Sequence, residues 1–498
     1  MTENTISQLE RVETVIKNNP DRGLNYLDLI LNIIEQSPVD GDENKMARSL
    51  LQYICSSRKA DKIPIEYLQR TVTTVEKYRL GKDSNQDIKI KPSNRSETVT
   101  ASGELLSAIS DAVGANPERF CVHGIITQCA TYINDPHPFI SFHAISVLES
   151  CINDQYTRMH TLPYLGGIVA RAGGVEGKLD EGGTYNINTI DIDGSEMKHK
   201  SIVTWDNVQS HALNILTWIF IYTPIEHLVP YILTKNGYMK GVSASTEEQY
   251  TWNENLQFES VSLAPKFAFN IPEDTWEKSN IDENDIIAGK PTTLAIYKTA
   301  VKSINKGHNE RVSSIRLISA IVHHINPENE YPPIEGVDMG DEKNENEKDI
   351  VAKSDHTKIT TEDIHTSSGV DNVYINQIRN EFKNMLIEDA TNISEVLCTI
   401  MSGSPNKNIQ MASSMALANL FINLNNVPEM HQNITDSFVE MMNGDDMELQ
   451  YITAQTMASI LTELEETLSN ENKSKLKKTL EEYENGCDVS IDSEIYDT

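Results

Sequence analysis

The sequence has little cysteine and no long apolar run. Six cysteines among 498 residues are too few and too scattered for the disulfide framework of a secreted domain, so we expect a reducing compartment and no disulfides. No window reaches the ~18 consecutive apolar residues that a membrane helix needs. The first residues, MTENTISQLERVETVIKNN, are acidic where a signal peptide would be basic. We therefore predict a cytoplasmic protein.

Basic residues are also scarce. The chain has 42 lysines and arginines against 74 aspartates and glutamates, which gives a formal net charge of -32. Such a charge repels phosphate backbones and anionic lipids, so we predict no nucleic-acid partner and no membrane partner. A basic protein partner fits the charge, and adaptation to a salty cytoplasm explains it equally well without any partner.

Familiar catalytic motifs are missing from the sequence. It contains no G-x-S-x-G, no H-E-x-x-H, no kinase signature and no paired zinc motif. This absence lowers the expectation of an enzyme without excluding one.

Apolar residues recur at every third or fourth position over most of the chain, which is typical of amphipathic helices. Examples are LNYLDLILNIIEQ near the N-terminus and RVSSIRLISAIVHHI further on. We predict an all-α fold in two helical blocks. The predicted division is an N-terminal helical region (1–80), a polar linker (81–102), a helical solenoid (103–325), an acidic linker (326–372), a C-terminal helical block (373–484) and an acidic tail (485–498).

Two inserted segments interrupt the helical pattern. They span residues 173–205 and 236–290, and both contain nearly alternating apolar residues with glycine, Asp-Gly or proline between them. Alternation with such turn residues is typical of a short β-hairpin, so we predict a loop or a local hairpin in each insert.

Four of the helical segments align with one another without gaps. They are ISFHAISVLESCI from Ile140, VQSHALNILTWIF from Val208, IQMASSMALANLF from Ile409 and LQYITAQTMASIL from Leu449. In each segment a polar residue follows the first aliphatic one, small residues occupy the fifth or sixth position, and a large apolar residue follows. The small residues are Ala144, Ala212, Ser413, Ser414, Thr453 and Ala454, and the large ones are Leu148, Leu216, Leu417 and Met457. Small positions allow a neighbouring helix to approach closely, so each segment is predicted to pack on both sides.

A proline recurs in the partner helices, at Pro163 in LPYL and at Pro230 in VPYI. We expect a kink or a break at both prolines.

These segments resemble HEAT repeats, which are helix pairs of ~40 residues related to armadillo repeats. The stretch PFISFHAISVL from Pro138 is similar to the family pattern P-x-V-R-x-x-A-A-x-A-L, and NDPHP before it resembles the family's Asp-Pro turn. Ile409 and Leu449 are also 40 residues apart. The resemblance covers about half of the chain and implies an α-α superhelix. It also implies that both inserts lie between the two helices of a repeat and leave the superhelix along the same edge.

The sequence departs from the HEAT pattern at one position. The family's arginine is replaced by Ser141, Gln209, Gln410 and Gln450. A charged Arg-Asp ladder from this position is therefore not expected.

Cysteines and histidines crowd one predicted helix pair, where thiolate and imidazole would be able to bind zinc. They are Cys121, His123, Cys129, His143 and Cys151. No Cys-x-x-Cys or His-x-x-x-His spacing presents adjacent ligands, and apolar neighbours would raise the thiol pKa and leave it inert. We interpret the cluster as helix core rather than as a metal site or a Cys-His nucleophile.

Three further motifs have structural explanations. His323 and His324 sit at a predicted helix end, where a cationic ring would favour the helix dipole. The run IDIDGSE at 190–196 lacks the distant glutamate of a calcium loop and fits an Asp-Gly turn. The run GGVEG at 173–177 lacks the Lys-Ser/Thr of a phosphate-binding loop and is interpreted as a glycine stop after a helix.

The sequence thus predicts a non-catalytic protein-interaction scaffold of HEAT-like repeats, with no catalytic residue, metal ligand or cofactor-binding residue assigned and no cofactor expected. The alternative is a HEAT-like enzyme or cofactor-handling protein resembling bilin lyases, with a pocket under the inserts. A basic groove would instead indicate nucleic-acid binding, as in HEAT-like glycosylases, and the overall charge does not point to one.

Overall fold

The structure is a computed structural model. It describes residues 2–79, 95–121, 125–135, 137–152, 155–174, 187–190, 196–199, 203–234, 249–252, 258–261, 291–327, 372–424, 426–464 and 468–486.

The described residues are mainly α-helical, which confirms the predicted all-α class. The longer helices are α1 (Thr2–Asn18), α2 (Leu27–Gln36), α3 (Asp42–Cys55), α4 (Ile65–Arg79), α5 (Arg95–Ala115), α8 (Pro138–Glu149), α10 (Leu165–Ala172), α11 (Trp205–Tyr222), α13 (Thr293–Ser303), α14 (His308–His324), α15 (Asn372–Gly403), α16 (Lys407–Asn423), α17 (Pro428–Met442), α18 (Met447–Glu463) and α19 (Asn470–Gly486). The short ones are α6 (Pro117–Cys121), α7 (Ile125–Ala130), α9 (Gln155–Met159) and α12 (Ile225–Leu228). Among the described helices, none combines the length and the apolar content required to cross a membrane.

Each insert contains a two-stranded antiparallel sheet. In the first insert, β1 (Ile187–Ile190) pairs with β2 (Glu196–His199), with Ile187 opposite His199. In the second, β3 (Gln249–Trp252) pairs with β4 (Phe258–Val261), with Gln249 opposite Val261.

The chain divides into two compact units. The first comprises residues 1–219 and 243–295, and the second comprises residues 220–242 and 296–498. The finer domain bounds derived from the sequence stay a prediction.

In the first unit, helices α3, α5 and α8 pack side by side. Arg48 Nε of α3 donates to Glu104 Oε2 of α5 at 2.6 Å, and Ser110 Oγ of α5 lies 3.2 Å from Ser150 Oγ at the end of α8. Helices α5 and α8 approach closely at Gly103 of α5, where a Cβ atom would overlap the ring of Phe139. Glycine at this position allows α5 and α8 to pack closely, because any larger side chain would push Phe139 out of the core.

Helix α5 begins at Arg95, within the range 81–102 that the sequence indicates as a linker. Its first turns bury Thr98, Ala101 and Ser102, and Ser102 Oγ donates back to Thr98 O at 2.8 Å. These residues are too small and polar to produce a hydrophobic period, yet they suit a close helix contact.

The second unit shows a two-layer arrangement of helices. One layer places α14, α16 and α18 side by side, and the other places α15, α17 and α19 side by side. Helix α15 also packs on α16, and α17 packs on α18, so consecutive helices form pairs that stack on one another. This is the predicted HEAT-like arrangement.

Equivalent caps begin α16 and α18. The side chain of Asn406 accepts the backbone N–H groups of Asn408 and Ile409, and 40 residues later Asp446 accepts those of Glu448 and Leu449. Each cap satisfies N–H groups that lack a partner inside the helix. The repeat therefore extends beyond the apolar pattern to the first turn.

The two prolines interrupt their helices as expected. Pro163 lies in a 3-10 turn, Leu162–Tyr164, between α9 and α10, and Pro230 lies in a 3-10 turn, Val229–Tyr231, directly after α12. Proline donates no backbone hydrogen bond and fits the first positions of such a turn.

Candidate functional site

The cysteines of the predicted cluster lie in packed interior. Cys129 and Cys151 are buried, and Cys151 Sγ donates to Val147 O at 3.3 Å. Burial raises the pKa of Cys129 to about 12, so its thiol stays protonated at neutral pH and is a poor nucleophile. His123 and the side chain of Cys121 lie outside the described residues. Over the ranges that the structure describes, no group of three potential metal ligands comes together.

His143 is enclosed by aromatic rings. Its ring lies edge to face with Phe139, with centroids 4.7 Å apart, and with Phe142, at 5.4 Å. Burial, together with nearby His211, lowers the pKa of His143 to about 4. Its Nε2 atom is buried without a hydrogen-bond partner, so the neutral ring contributes through packing against the two phenylalanine rings.

His211, the residue of α11 that aligns with His143, joins α11 to α8. Its ring stacks on Phe142 with centroids 4.9 Å apart, and Nε2 lies 3.1 Å from Ser146 Oγ and 3.3 Å from Glu149 Oε2. Burial lowers the pKa of His211, while Glu149 acts in the opposite direction. The aligned histidines therefore meet at a contact between neighbouring repeat helices.

The interpretation of His324 as a helix-end cation is wrong. Its Nε2 donates to Phe220 O at 2.6 Å inside the second unit, and burial lowers its pKa to about 4. The cation at this helix end is Arg379 of α15, whose Nε donates to His324 O at 3.2 Å while Nη2 reaches Glu226 Oε1 at 3.0 Å. The guanidinium supplies the positive charge that the end of α14 favours.

The predicted Asp-Pro turn is built around Asp135. Its Oδ2 lies 2.5 Å from Arg79 Nη2 of α4, and both side chains are only 7% exposed. Its Oδ1 accepts the backbone N–H of His137 at 2.9 Å, and the Arg79 guanidinium lies 4.1 Å above the ring of Tyr132. A buried Arg-Asp pair thus exists here, supplied by an arginine from outside the aligned position.

Arg171 fixes the start of the first insert. Its Nε donates to Ile133 O and its Nη2 to Asp135 O, both at 3.0 Å. Its guanidinium also lies 4.6 Å from the ring of Trp205, which is the first residue of α11. The two ends of the insert therefore leave and re-enter the helix pair beside the same buried arginine.

The four polar residues that replace the HEAT arginine share one role. Each donates to a carbonyl at or just beyond the end of the preceding helix or turn. The bonds are Ser141 Oγ to Ile133 O at 2.6 Å, Gln209 Nε2 to Ala172 O at 2.9 Å, Gln410 Nε2 to Ser404 O at 2.9 Å, and Gln450 Nε2 to Gly444 O at 2.7 Å. Carbonyls at helix ends lack an internal partner, so this position holds the two helices of each pair together.

The glycine run at 173–177 does end a helix. Gly173 follows the last residue of α10, and Gly174 has a φ of +86°, a conformation that glycine adopts without steric cost. The turn within IDIDGSE lies outside the described residues, between the end of β1 and the start of β2.

An exposed apolar face lies on α16 and α18. It consists of Met411 and Met415 on α16, and Met447 and Tyr451 on α18, with exposed fractions of 44%, 37%, 76% and 39%. Each pair is spaced by one helical turn, so both side chains project from the same side of their helix. We call these four residues the Met-Tyr face.

Comparison with known proteins gives structural similarity only. No protein-family model matches this chain, and no curated protein matches its sequence. The structure of Kap121p is similar at a TM-score of 0.37 and 11% identity, with 92% of this chain covering 36% of Kap121p. The structure of She4p is similar at a TM-score of 0.25 and 9% identity, with 92% of this chain covering 56% of She4p. This chain thus spans between 36% and 56% of the length of these two proteins.

TM-scores this low carry no argument about function. The HEAT-like description follows from the paired helix layers, the repeated caps and the carbonyl donors of the chain itself.

The aligned repeats show a second pattern beside apolar periodicity, and it indicates the side chains that donate to the carbonyls. A polar residue stands at the same aligned position four times, although this position is buried at Ser141, Gln209 and Gln410 and partly buried at Gln450. A recurring polar residue inside an apolar pattern indicates a recurring hydrogen-bond partner, because buried polar groups are almost always paired.

Proposed function

We propose that this chain is a non-catalytic protein-interaction scaffold built from HEAT-like repeats. The observation that carries the proposal is that equivalent repeat positions face solvent on neighbouring helices. Met411 and Tyr451 occupy the same place in two successive repeats, and both are exposed. Stacked repeats present such positions as an extended surface, which suits recognition of another protein through many small contacts.

The residues with reactive side chains support the same proposal. His143 and His324 have their pKa lowered to about 4 by burial, and the pKa of Cys398 is raised to about 11 by burial. These three side chains are at most 7% exposed, so they pack inside helix contacts, where a substrate does not reach them.

The charge favours a basic partner. With a net charge of -32, the chain attracts cationic surfaces and speeds their association at low ionic strength.

Affinity purification tests the proposal. The full chain and a variant that lacks residues 240–288 are used to capture proteins from the source cells at native salt, and the captured proteins are then identified. We expect the full chain to retain a defined basic protein, and capture of no protein would contradict the proposal. The deletion variant, checked by far-UV circular dichroism for intact helices, distinguishes binding by the repeat surface, which it keeps, from binding by the second insert, which it lacks.

Recovery of a bound pigment or other small molecule in place of a protein would favour the enzyme or cofactor-handling alternative. Equal capture by both chains would show that the second insert plays no part in binding.

A further inference from the structure

We propose that the Met-Tyr face is a docking site for a peptide segment that has apolar side chains on one side and lysine or arginine around them. This inference deepens the proposed scaffold function by locating one surface and by stating the chemistry of its partner.

The four side chains belong to adjacent helices. Helices α16 and α18 pack side by side, and Lys407 Nζ at the start of α16 lies 2.6 Å from Glu448 Oε1 at the start of α18. The two helices therefore begin side by side, and the exposed pairs lie between the first turn of α18 and the middle of α16. Because Met411 and Tyr451 occupy the same repeat position on these two packed helices, we infer that the four side chains form one apolar strip.

The same repeat position is covered elsewhere in the chain. Phe142 of α8 aligns with Met411 and Tyr451, and the ring of His211 stacks on it at 4.9 Å. In that repeat the position is in contact with a side chain of the next repeat helix. In α16 and α18 the position carries large apolar residues that remain open to solvent.

The composition of the face suits a peptide. Methionine is flexible and polarizable and adapts to apolar side chains of different shapes. Tyr451 adds a ring whose hydroxyl accepts a hydrogen bond from Gln455 Nε2 at 2.8 Å, which restrains its position. A flexible pair of methionines beside a restrained aromatic ring is suited to holding an apolar side chain of a bound helix or strand.

Charges around the face determine which partner fits. Asp445, Asp446 and Glu448 are exposed at the start of α18, and they outweigh Lys407, the cation paired with Glu448. A second copy of this chain would bring the same acidic residues and a net charge of -32 against this rim. Like-charge repulsion therefore disfavours self-association, whereas a cationic segment gains attraction from the rim.

Peptide binding to the full chain tests this inference. The probe is a fluorescein-labelled amphipathic helix with leucine on one side and lysine on the other, and its partner probe has glutamate at every lysine position. Fluorescence anisotropy measures the affinity of both probes. We expect the lysine peptide to bind at least about tenfold more tightly than the glutamate peptide.

The variant M411Q/M415Q/M447Q/Y451Q removes the apolar face while changing only exposed side chains. We expect it to bind the lysine peptide at least about tenfold more weakly. Val373→Gln is the matched control, because Val373 is a large apolar residue of α15 with a similar exposed fraction, 49%. It should bind as the unchanged chain does. Far-UV circular dichroism confirms that both variants keep their helices.

Equal binding of the lysine peptide to the quadruple variant and to the unchanged chain would overturn the docking site. Equal binding of both peptides would overturn the role of charge. Sedimentation that reveals a dimer of the unchanged chain, lost in the variant, would identify a second copy as the occupant and also overturn the inference.

The scaffold proposal fails separately. If the full chain captures no protein from its source, the scaffold function is wrong whatever the peptides show. If a captured partner is retained by the quadruple variant, the scaffold stands and this docking site is wrong.

Discussion

His143 and His324 show how burial changes the chemistry of a side chain. Each has its pKa lowered to about 4, and each contacts an aromatic ring of a neighbouring residue or helix. They differ in hydrogen bonding, because His324 Nε2 donates to a carbonyl and His143 Nε2 has no partner. A buried polar atom without a partner costs about 1 to 3 kcal/mol, so His143 stabilises the fold less than His324 does.

Acidification should destabilise the fold through His143. Its pKa in the folded chain lies below the ordinary value of 6.5, so the unfolded chain takes up the proton first as the pH falls. The contribution of the neutral His143 ring to the free energy of unfolding is fully present above the pKa that His143 has in the unfolded chain. It is lost progressively as the pH falls toward 4, by up to roughly 3 kcal/mol.

Urea unfolding at pH 7 and pH 4.5, followed by circular dichroism, measures this loss. His143→Leu cannot take up the proton, so we expect a smaller loss of unfolding free energy between the two pH values. An identical loss in both chains would show that His143 does not contribute to the acid response.

Pairing of helices uses one repeated hydrogen bond in addition to apolar packing. Gln209, Gln410 and Gln450 each reach the carbonyl end of the preceding segment. For Gln410 and Gln450 that carbonyl is only six residues back, whereas for Gln209 the whole first insert intervenes. The same bond is made in spite of the insert, so the insert is an extension of the turn between α10 and α11.

Gln209→Met should weaken the first unit. Methionine has a similar length but donates no hydrogen bond, so the buried Ala172 carbonyl loses its partner, at an expected cost of about 1 to 3 kcal/mol. Chemical unfolding measures the change, and Gln69→Met on the exposed side of α4 is the control, expected to change stability by less than about 0.5 kcal/mol. Equal effects of the two substitutions would contradict the role given to Gln209.

Apolar periodicity was sufficient to predict the repeat helices, since the aligned small and large residues are buried in packed helices. It did not reveal the start of α5, because Thr98 and Ser102 pack through small size rather than through hydrophobicity. The hydrogen bond of His324 is made to Phe220, which is distant in sequence, and burial keeps the ring neutral although this bond favours the protonated form. The apolar pattern within a segment therefore identifies helices. The protonation and hydrogen bonding of a side chain are determined by the residues from distant segments that surround it.

The acidic surface of the chain should make its stability depend on salt. A net charge of -32 repels itself in the folded state, and salt screens this repulsion within a Debye length of ~10 Å at 0.1 M and ~3 Å at 1 M. We expect Tm to rise between about 0.1 M and about 1 M KCl. Differential scanning calorimetry measures it.

The change of Tm above about 1 M KCl distinguishes simple screening of the negative charge from adaptation of the surface to a salty cytoplasm. A plateau near 1 M is the result of screening alone, whereas a continuing rise indicates a surface adapted to a salty cytoplasm. A constant Tm over the whole range would show that the acidic residues do not repel one another appreciably in the folded chain.

The two ends of the first insert are fixed to the helix pair, and this affects how the sequence of the insert can vary. Arg171 contacts Trp205, and Gln209 binds Ala172, so the helix pair is held together independently of the segment between them. Once the ends of a loop are fixed, doubling its length costs only about 0.6 kcal/mol. The junction can therefore accept a longer, shorter or unrelated segment with little loss of stability, so sequence variation can accumulate there without disturbing the repeats.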